Sequence, residues 1–560
     1  MASQELAIGQ YGKIRCLSSL GEGLRSHSLA CLGIVAIQVL AATIFLTNRA
    51  SGTDSAFTSV PLDDTWIHFV YARSFAEHFD FFYNEGVREA GMTSPLWVVV
   101  LGMAFKFLLP WGLGPVLIAK FLGIAIGIGT AILVYALVTS LTGRVAVGTA
   151  AGALVSLEPF LTFDNVSGMD ASLFTFLAVL SLLLLWRERR LALGICLGLV
   201  PLVRPEGYLL VGAILGVLVL RRLAQQKGPE IMTQEDALYL APTVLPVVFF
   251  SALLVGYNLS INGTPFPNTY LVKHRPELGL FNPENLSAVW SGYLRQLPYF
   301  AGFSFIASFF LLLLGSIFIV RKKGLVSIPL VLVPWALIYA LTTNIKLYPA
   351  FWAFPGRRYV DTAIVFMVMV MVVGLWWAFH HLRPFLEGGL RGRAVPTWLP
   401  KYGVPLMMLF LIVGPFWSLP AKWPVLLDEY SWNTRNIQEV NVDMGYWVDQ
   451  NLPPEAIIGV GDAGAIKYFG NRQVVDLGGL NTHQAIGRPP SEVAQEFRVD
   501  YVIIFRDSYF DRWPVAKEIY RLSPAPEHTT ILGGSELVVY EMSWPQKPSE
   551  PTSARGSGPK

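Results

Sequence analysis

Charge is scarce in this chain: only 14% of its 560 residues are Asp, Glu, Lys or Arg, which excludes an ordinary soluble enzyme. The two signs nearly cancel, 42 basic against 39 acidic residues, so the net charge of +3 gives no basic surface for nucleic acid. Cysteine is rarer still. Cys16, Cys31 and Cys196 fall near or inside apolar segments, with neither metal-ligand spacing nor a disulfide framework. His68, His274 and the pair His380/His381 share no ligand spacing with carboxylates, so no metal and no cofactor is expected. Internal repeats, coiled-coil heptads and lipidation motifs are also missing.

What is present is apolar. Hydrophobic residues make up 53% of the chain, mean hydropathy is +0.49, and 16 Trp, 21 Tyr and 35 Phe suit a protein crossing two membrane–water interfaces. Disorder is excluded by the same numbers. Apolar runs near 28–47, 115–140, 145–160, 171–186, 191–203, 207–220, 238–257, 300–320, 325–341, 362–379 and 404–417 predict a polytopic α-helical membrane protein of about eleven spans. The run 95–109 starts at Ser94-Pro95, carries Lys106 and ends at Pro110, and reads as a helix in the outer interface that does not cross.

Basic residues set the orientation. Lys13, Arg15 and Arg25 precede the first run, and Arg144, Arg187–Arg190, Arg221/Arg222, Arg321–Lys323 and the cluster from Arg383 to Lys401 follow at every second loop. The resulting division is a cytoplasmic N-terminus (1–27), a transmembrane domain (28–419) with outer loops about 48–114 and 258–299, an extracytoplasmic α/β domain (420–545) and a disordered tail (546–560) rich in Pro, Ser and Gly. A first run followed by Arg49-Ala50-Ser51 is compatible with a cleaved signal, but its long polar preamble favours a retained anchor.

The outer face thereby collects Glu158, Asp164, Asp170, Arg204, Glu206, Arg357, Arg358 and Asp361 at span ends, where ionisable groups are costly and mark a shared cavity. The sharpest local signal is Asp63-Asp64, followed by Ile67, Val70, Tyr71 and Ser74 at i, i+3, i+4 and i+7. This pattern predicts an amphipathic helix lying on the interface, with the carboxylates as its cap or as a general base.

The segments Asp63-Asp64, Tyr71-Ala72-Arg73, Tyr83-Asn84-Glu85-Gly86 and Thr93-Ser94-Pro95-Leu96-Trp97 resemble the first outer loop of GT-C-fold glycosyltransferases, in particular bacterial members similar to actinobacterial terminal β-arabinofuranosyltransferases. Gly168-Met169-Asp170, Arg204-Pro205-Glu206-Gly207, Pro267-Asn268-Thr269-Tyr270, Arg358-Tyr359, Gly461-Asp462-Ala463-Gly464 and Val475-Asp476-Leu477-Gly478 follow in the same order. The chain departs from the pattern at Asp170, where Glu is commoner, and at His68, where a small residue or Thr is frequent. The resemblance implies an inverting transferase that moves a sugar from a polyprenyl-phosphate carrier to a hydroxyl of a glycan or glycolipid acceptor on the outer face of a bacterial plasma membrane.

On that resemblance Asp63 or Asp64 is the base, with the first acidic residue favoured. Arg358, Arg357, Lys273 and Arg204 are the phosphate ligands, since Arg offers a planar fork and Lys a point charge. Glu206, Asp170, Asn268, Arg73 and His68 are the sugar- or acceptor-binding candidates. Turn formation beside Pro265 and Pro267 is an equal explanation of Asn268, and interfacial snorkelling is the rival for Arg357 and Arg358.

In the C-terminal part, 456–460, 473–476, 501–505 and 536–540 read as strands and 440–451 as a helix. Gly459-Val460-Gly461-Asp462-Ala463-Gly464 fits a dinucleotide fingerprint, but about eight residues before the next strand leave no room for a crossover helix, and an acceptor-shaping role fits better. The alternatives in other classes are a transporter or flippase, and a non-catalytic scaffold for envelope assembly. Matching inverted repeats would mark the former, and tolerance of neutral residues at 63 and 64 the latter.

Overall fold

A computed structural model describes residues 2–50, 52–223, 233–273, 303–323, 358, 361–386, 402, 406–407, 409, 419–506, 516–524 and 533–544. His274, Arg357, the expected span 325–341, most of 404–417 and the tail 546–560 lie outside them. The protein is an integral membrane protein built mostly of apolar helices. Among the described residues four helices are long and apolar enough to cross a membrane: Arg25–Thr47, Pro115–Thr142, Gln234–Asn262 and Asp361–His381. A fifth is the pair Val145–Leu157 and Pro159–Val166 if it counts as one span, bent by 61°. The bend has a local cause: Glu158 leaves helical geometry and caps the second half, and Pro159 opens it with no N–H to donate. Ala171–Trp186, Arg190–Leu202 and Ile306–Arg321 are shorter apolar helices. The helix Pro95–Leu108, with 14 residues, is about 21 Å long against a hydrocarbon core of about 30 Å.

The helix predicted after Asp63 forms as Asp64–His78, but it does not lie on an interface with one face in water. Thr65 through Ala72 are all buried. Trp66 and Phe69, which flank the predicted apolar stripe, form a second one. Trp66 packs at 4.7 Å from the Phe469 ring and Phe69 at 5.5 Å from Phe105, so the helix is held between Pro95–Leu108 and the C-terminal part of the chain.

That C-terminal part contains a five-stranded mixed sheet in the order Gln473–Asp476, Ile457–Val460, Tyr501–Phe505, Leu537–Met542, Ala516–Leu522. The first three strands are parallel and the last two antiparallel to their neighbours. Only the short helix Ala465–Gly470 joins the first parallel pair. The strands that the sequence marks as continuously apolar, Ile457–Val460 and Tyr501–Phe505, are the central ones, buried on both faces.

Candidate active site

The helix Asp64–His78 begins where six other stretches of the chain converge. Asp64 and His68 come from its first turns, and Met92 and Thr93 from the strand-to-helix connection before Ser94. Met169 and Asp170 precede Ala171–Trp186, while Arg204 and Glu206 precede Gly207–Leu223. Thr269 and Lys273 come from Asn268–Lys273, and Ile67, Gly91, Arg358 and Leu480 complete the lining. The free volume is about 40 Å³, room for water and not for a sugar, so a substrate would have to displace side chains.

Two adjacent carboxylates face opposite ways. Asp64 accepts a hydrogen bond from Arg358 Nη2 at 2.7 Å. Its side chain stays 34% accessible at the pocket, while Arg358 is 5% exposed. Burial works to raise the Asp64 pKa, but Arg358 and Lys273 outweigh it and hold the group down at about 2. Asp63 turns away, towards the C-terminal sheet. Its two oxygens accept from the backbone N–H groups of Gly464 and Ala465 at 2.8 and 2.9 Å. It is the residue before the helix but makes no side-chain cap. Burial, then the neighbouring Asp462, pushes the Asp63 carboxyl up to about 8. The preference for Asp63 as the base therefore does not match the geometry: its carboxylate is engaged by Gly464 and Ala465, and it does not line the pocket.

The same contact explains the glycine-rich loop. The N–H groups at the start of Ala465–Gly470, where a dinucleotide site would hold an anion, are taken by Asp63.

Arg204 donates from Nη1 to the Arg358 carbonyl at 3.0 Å and lies 3.9 Å from Asp170 and 3.8 Å from Glu206. Asp170 takes the Ser94 hydroxyl on one oxygen, while its Oδ1 and the Glu206 Oε2 are buried with no hydrogen-bond donor among the described residues. Such oxygens are acceptors waiting for a ligand's hydroxyl or a water. His68 is driven towards the neutral form, first by burial, with Asp170 and Asp64 opposing.

Two candidates lie elsewhere. Asn268 is fully buried and bridges three segments: its Oδ1 accepts from Asn262 Nδ2 at 3.0 Å and meets His483 Nδ1 at 3.0 Å, and its N–H donates to the Ala90 carbonyl. Arg73 stacks 4.3 Å over Tyr468 and donates to that residue's carbonyl at 3.0 Å, on the wall of a separate cleft. Sequence reasoning singled out none of Met92, Thr93, Thr269 and Leu480 as site residues, although Thr93 and Thr269 lie inside quoted motifs and Met92 and Leu480 within two residues of one. It also missed Ser94 as the partner of Asp170. Among the described residues no cluster of His, Cys, Asp and Glu could hold a metal ion.

Residues 432–540 match a family described as Domain of unknown function (DUF8728). No curated protein matches the chain. Two solved structures are similar over nearly the whole length: ArnT from Cupriavidus metallidurans bound to undecaprenyl phosphate, and the same protein in the apo state. Each has a TM-score of 0.54 at 13% identity and covers 91% of this chain and 97% of its own. The chain thus has an ArnT-like GT-C fold.

Proposed function

We propose that the protein is a polyprenyl-phosphate-dependent glycosyltransferase that moves a sugar onto a hydroxyl of a cell-envelope glycan at the outer face of a bacterial plasma membrane. The observation that carries this reading is the Asp64–Arg358 pair at 2.7 Å, at the meeting of Lys273, Arg204, Asp170 and Glu206. The ArnT structure with undecaprenyl phosphate supports the same donor class.

In this reading the donor's phosphate recruits Arg358 and Lys273, with Arg204 fixing the Arg358 backbone. Drawing Arg358 off Asp64 removes the charge that keeps its pKa low, and burial then makes it a better base. The acceptor oxygen attacks the anomeric carbon and Asp64 takes its proton. The carbon–oxygen bond to phosphate breaks, and polyprenyl phosphate leaves with the electron pair under cationic stabilisation. The bare oxygens of Asp170 and Glu206 hold sugar hydroxyls. Arabinofuranose is one candidate sugar, on the sequence resemblance alone.

The test is release of polyprenyl phosphate by the protein in lipid nanodiscs, with a panel of polyprenyl-phosphate sugars and mixed glycan acceptors. Asp64→Asn should lower turnover by about 10²–10⁴-fold, the usual weight of a general base. Turnover that survives this change would move the base to Asp170 or Glu206. A folded protein that binds no donor would favour transport or scaffolding.

A further inference from the structure

A second cavity beside the helix Asp64–His78 is separate from the pocket at Asp64. It is a cleft of about 660 Å³, within the size range of ligand sites. One wall is the later part of that helix, with Arg73 and Glu77, and the hairpin Phe82–Asn84/Val87–Arg88; the other is the end of Ala465–Gly470 and the start of Gln473–Asp476.

The walls are fixed to one another. Asn84 Nδ2 donates to the Val474 carbonyl at 2.8 Å, and its Oδ1 accepts from Val474 N–H at 2.9 Å. The hairpin is thereby stitched to the edge strand of the sheet. Arg472 spends its guanidinium on the carbonyls of Pro453, Gly470, Asp449 and Leu452, which locks the floor.

Among the charges lining this cleft, Arg472 is paired with Asp449, and Glu77 lies near His78; Arg73 and Lys467 are held differently. Arg73 gives one bond to the Tyr468 carbonyl, and Lys467 gives two, to Asn84 Oδ1 at 2.9 Å and the Arg472 carbonyl at 2.7 Å. Neither cation has an ion-pair partner among the described residues, although Glu77 and Glu85 line the same cleft. Burial and then Arg73 pull the Lys467 ammonium down to about 8, with Glu85 across the cleft opposing them. Donors and acceptors that are kept apart around a preformed cavity match a ligand whose every group both gives and takes hydrogen bonds. Saccharide hydroxyls do so, and the half-buried Phe82 adds a ring face. A lipid or an apolar peptide would leave these charges buried without partners.

We infer that this cleft is a saccharide-binding site that holds the acceptor glycan away from its reacting end. The inference rests on the transferase reading above. Arg73 lies nine positions beyond Asp64, about 14 Å along the helix, so a glycan of several sugars is needed to engage both places.

The experiment uses mild-acid fragments of the producing cell's envelope polysaccharide, separated by size, and nanodisc-held protein. Saturation-transfer NMR reads binding, and acceptor KM is measured for long fragments and for single sugars. The variant is Glu85→Ala with Gln473→Ala, two exposed cleft residues that make no side-chain hydrogen bond among the described residues, and Arg73→Lys is a second. Long fragments should bind the wild type and bind the variants about tenfold more weakly, the loss of one or two charge-assisted bonds. Their KM should rise to match, with that of a single sugar moving little. Equal binding to wild type and variants, or no binding of any fraction to the wild type, overturns the inference. Cleft-dependent binding without any glycosyl transfer would leave the cleft standing and sink the transferase reading instead.

Discussion

Asp63 and Asp64 are neighbours in sequence with opposite electrostatics, one held up at about 8 by burial and the other held down at about 2 by Arg358 and Lys273. If the donor phosphate takes Arg358 from Asp64, the group that must be ionised for catalysis has two pKa values, one free and one in complex. The profile of kcat/KM reports the free enzyme and that of kcat reports the complex. We expect no acid limb from Asp64 in kcat/KM above pH 4, since the free carboxylate is ionised far below that. In kcat the limb should move upward, because burial dominates once the cation has left. Coincident limbs in the two profiles would count against the exchange of Arg358 between carboxylate and phosphate. The pair itself was legible in the sequence, as an adjacent doublet of carboxylates before an apolar helix. The direction in which each side chain turns was not, because the N–H groups that hold Asp63 belong to Gly464 and Ala465, 401 and 402 positions away.

Gly464 shows the same long-range dependence for a whole element. A Cβ built there would collide with the Asp63 carbonyl oxygen, a backbone atom that cannot swing aside. Gly464→Ala should therefore prise the helix Ala465–Gly470 off the start of Asp64–His78. We expect a loss of about 1–3 kcal/mol, the range for overpacking a tight contact. Thermal unfolding in nanodiscs would give its sign, and turnover should fall with it because Asp64 moves with the helix. Gly212 is the control. It lies inside Gly207–Leu223 with nothing within 4 Å of a built Cβ, so the same substitution should stabilise by about 0.5–1 kcal/mol. Equal effects at the two glycines would remove the docking argument. Amphipathic spacing located Asp64–His78 correctly but misjudged its surroundings. Periodicity reports how one stripe of a helix is used, whereas Trp66 and Phe69 bury the opposite side against partners that only the tertiary fold supplies.

Across the whole molecule, the segment carrying Asp63 and Glu89 and the C-terminal sheet meet through buried acids. Burial raises Asp63 and, with it, Asp462, whose Oδ2 accepts from Asn441 at 2.9 Å. Burial also raises Glu89 to about 7 and Asp476 to about 6, although backbone N–H groups oppose the shift in both. Each of these groups holds a proton in the folded state that the unfolded chain releases near pH 4. Their contribution is thus fully present below about pH 4 and is lost as pH rises through 6, 7 and 8. Asp64 acts in the opposite sense, but only as pH falls from about 4 towards 2, so it does not offset them near neutrality. Lys467, lowered to about 8, gives relief only above that pH. The thermal midpoint in nanodiscs at a fixed scan rate should accordingly fall between pH 5 and 8, where most proteins are near their maximum. Asp63→Asn should flatten part of that slope while lowering the midpoint at pH 5, because an amide nitrogen cannot accept from Gly464 or Ala465. A midpoint that rises with pH over this range would mean that the junction acids are ionised in the folded protein, with water or cations reaching them.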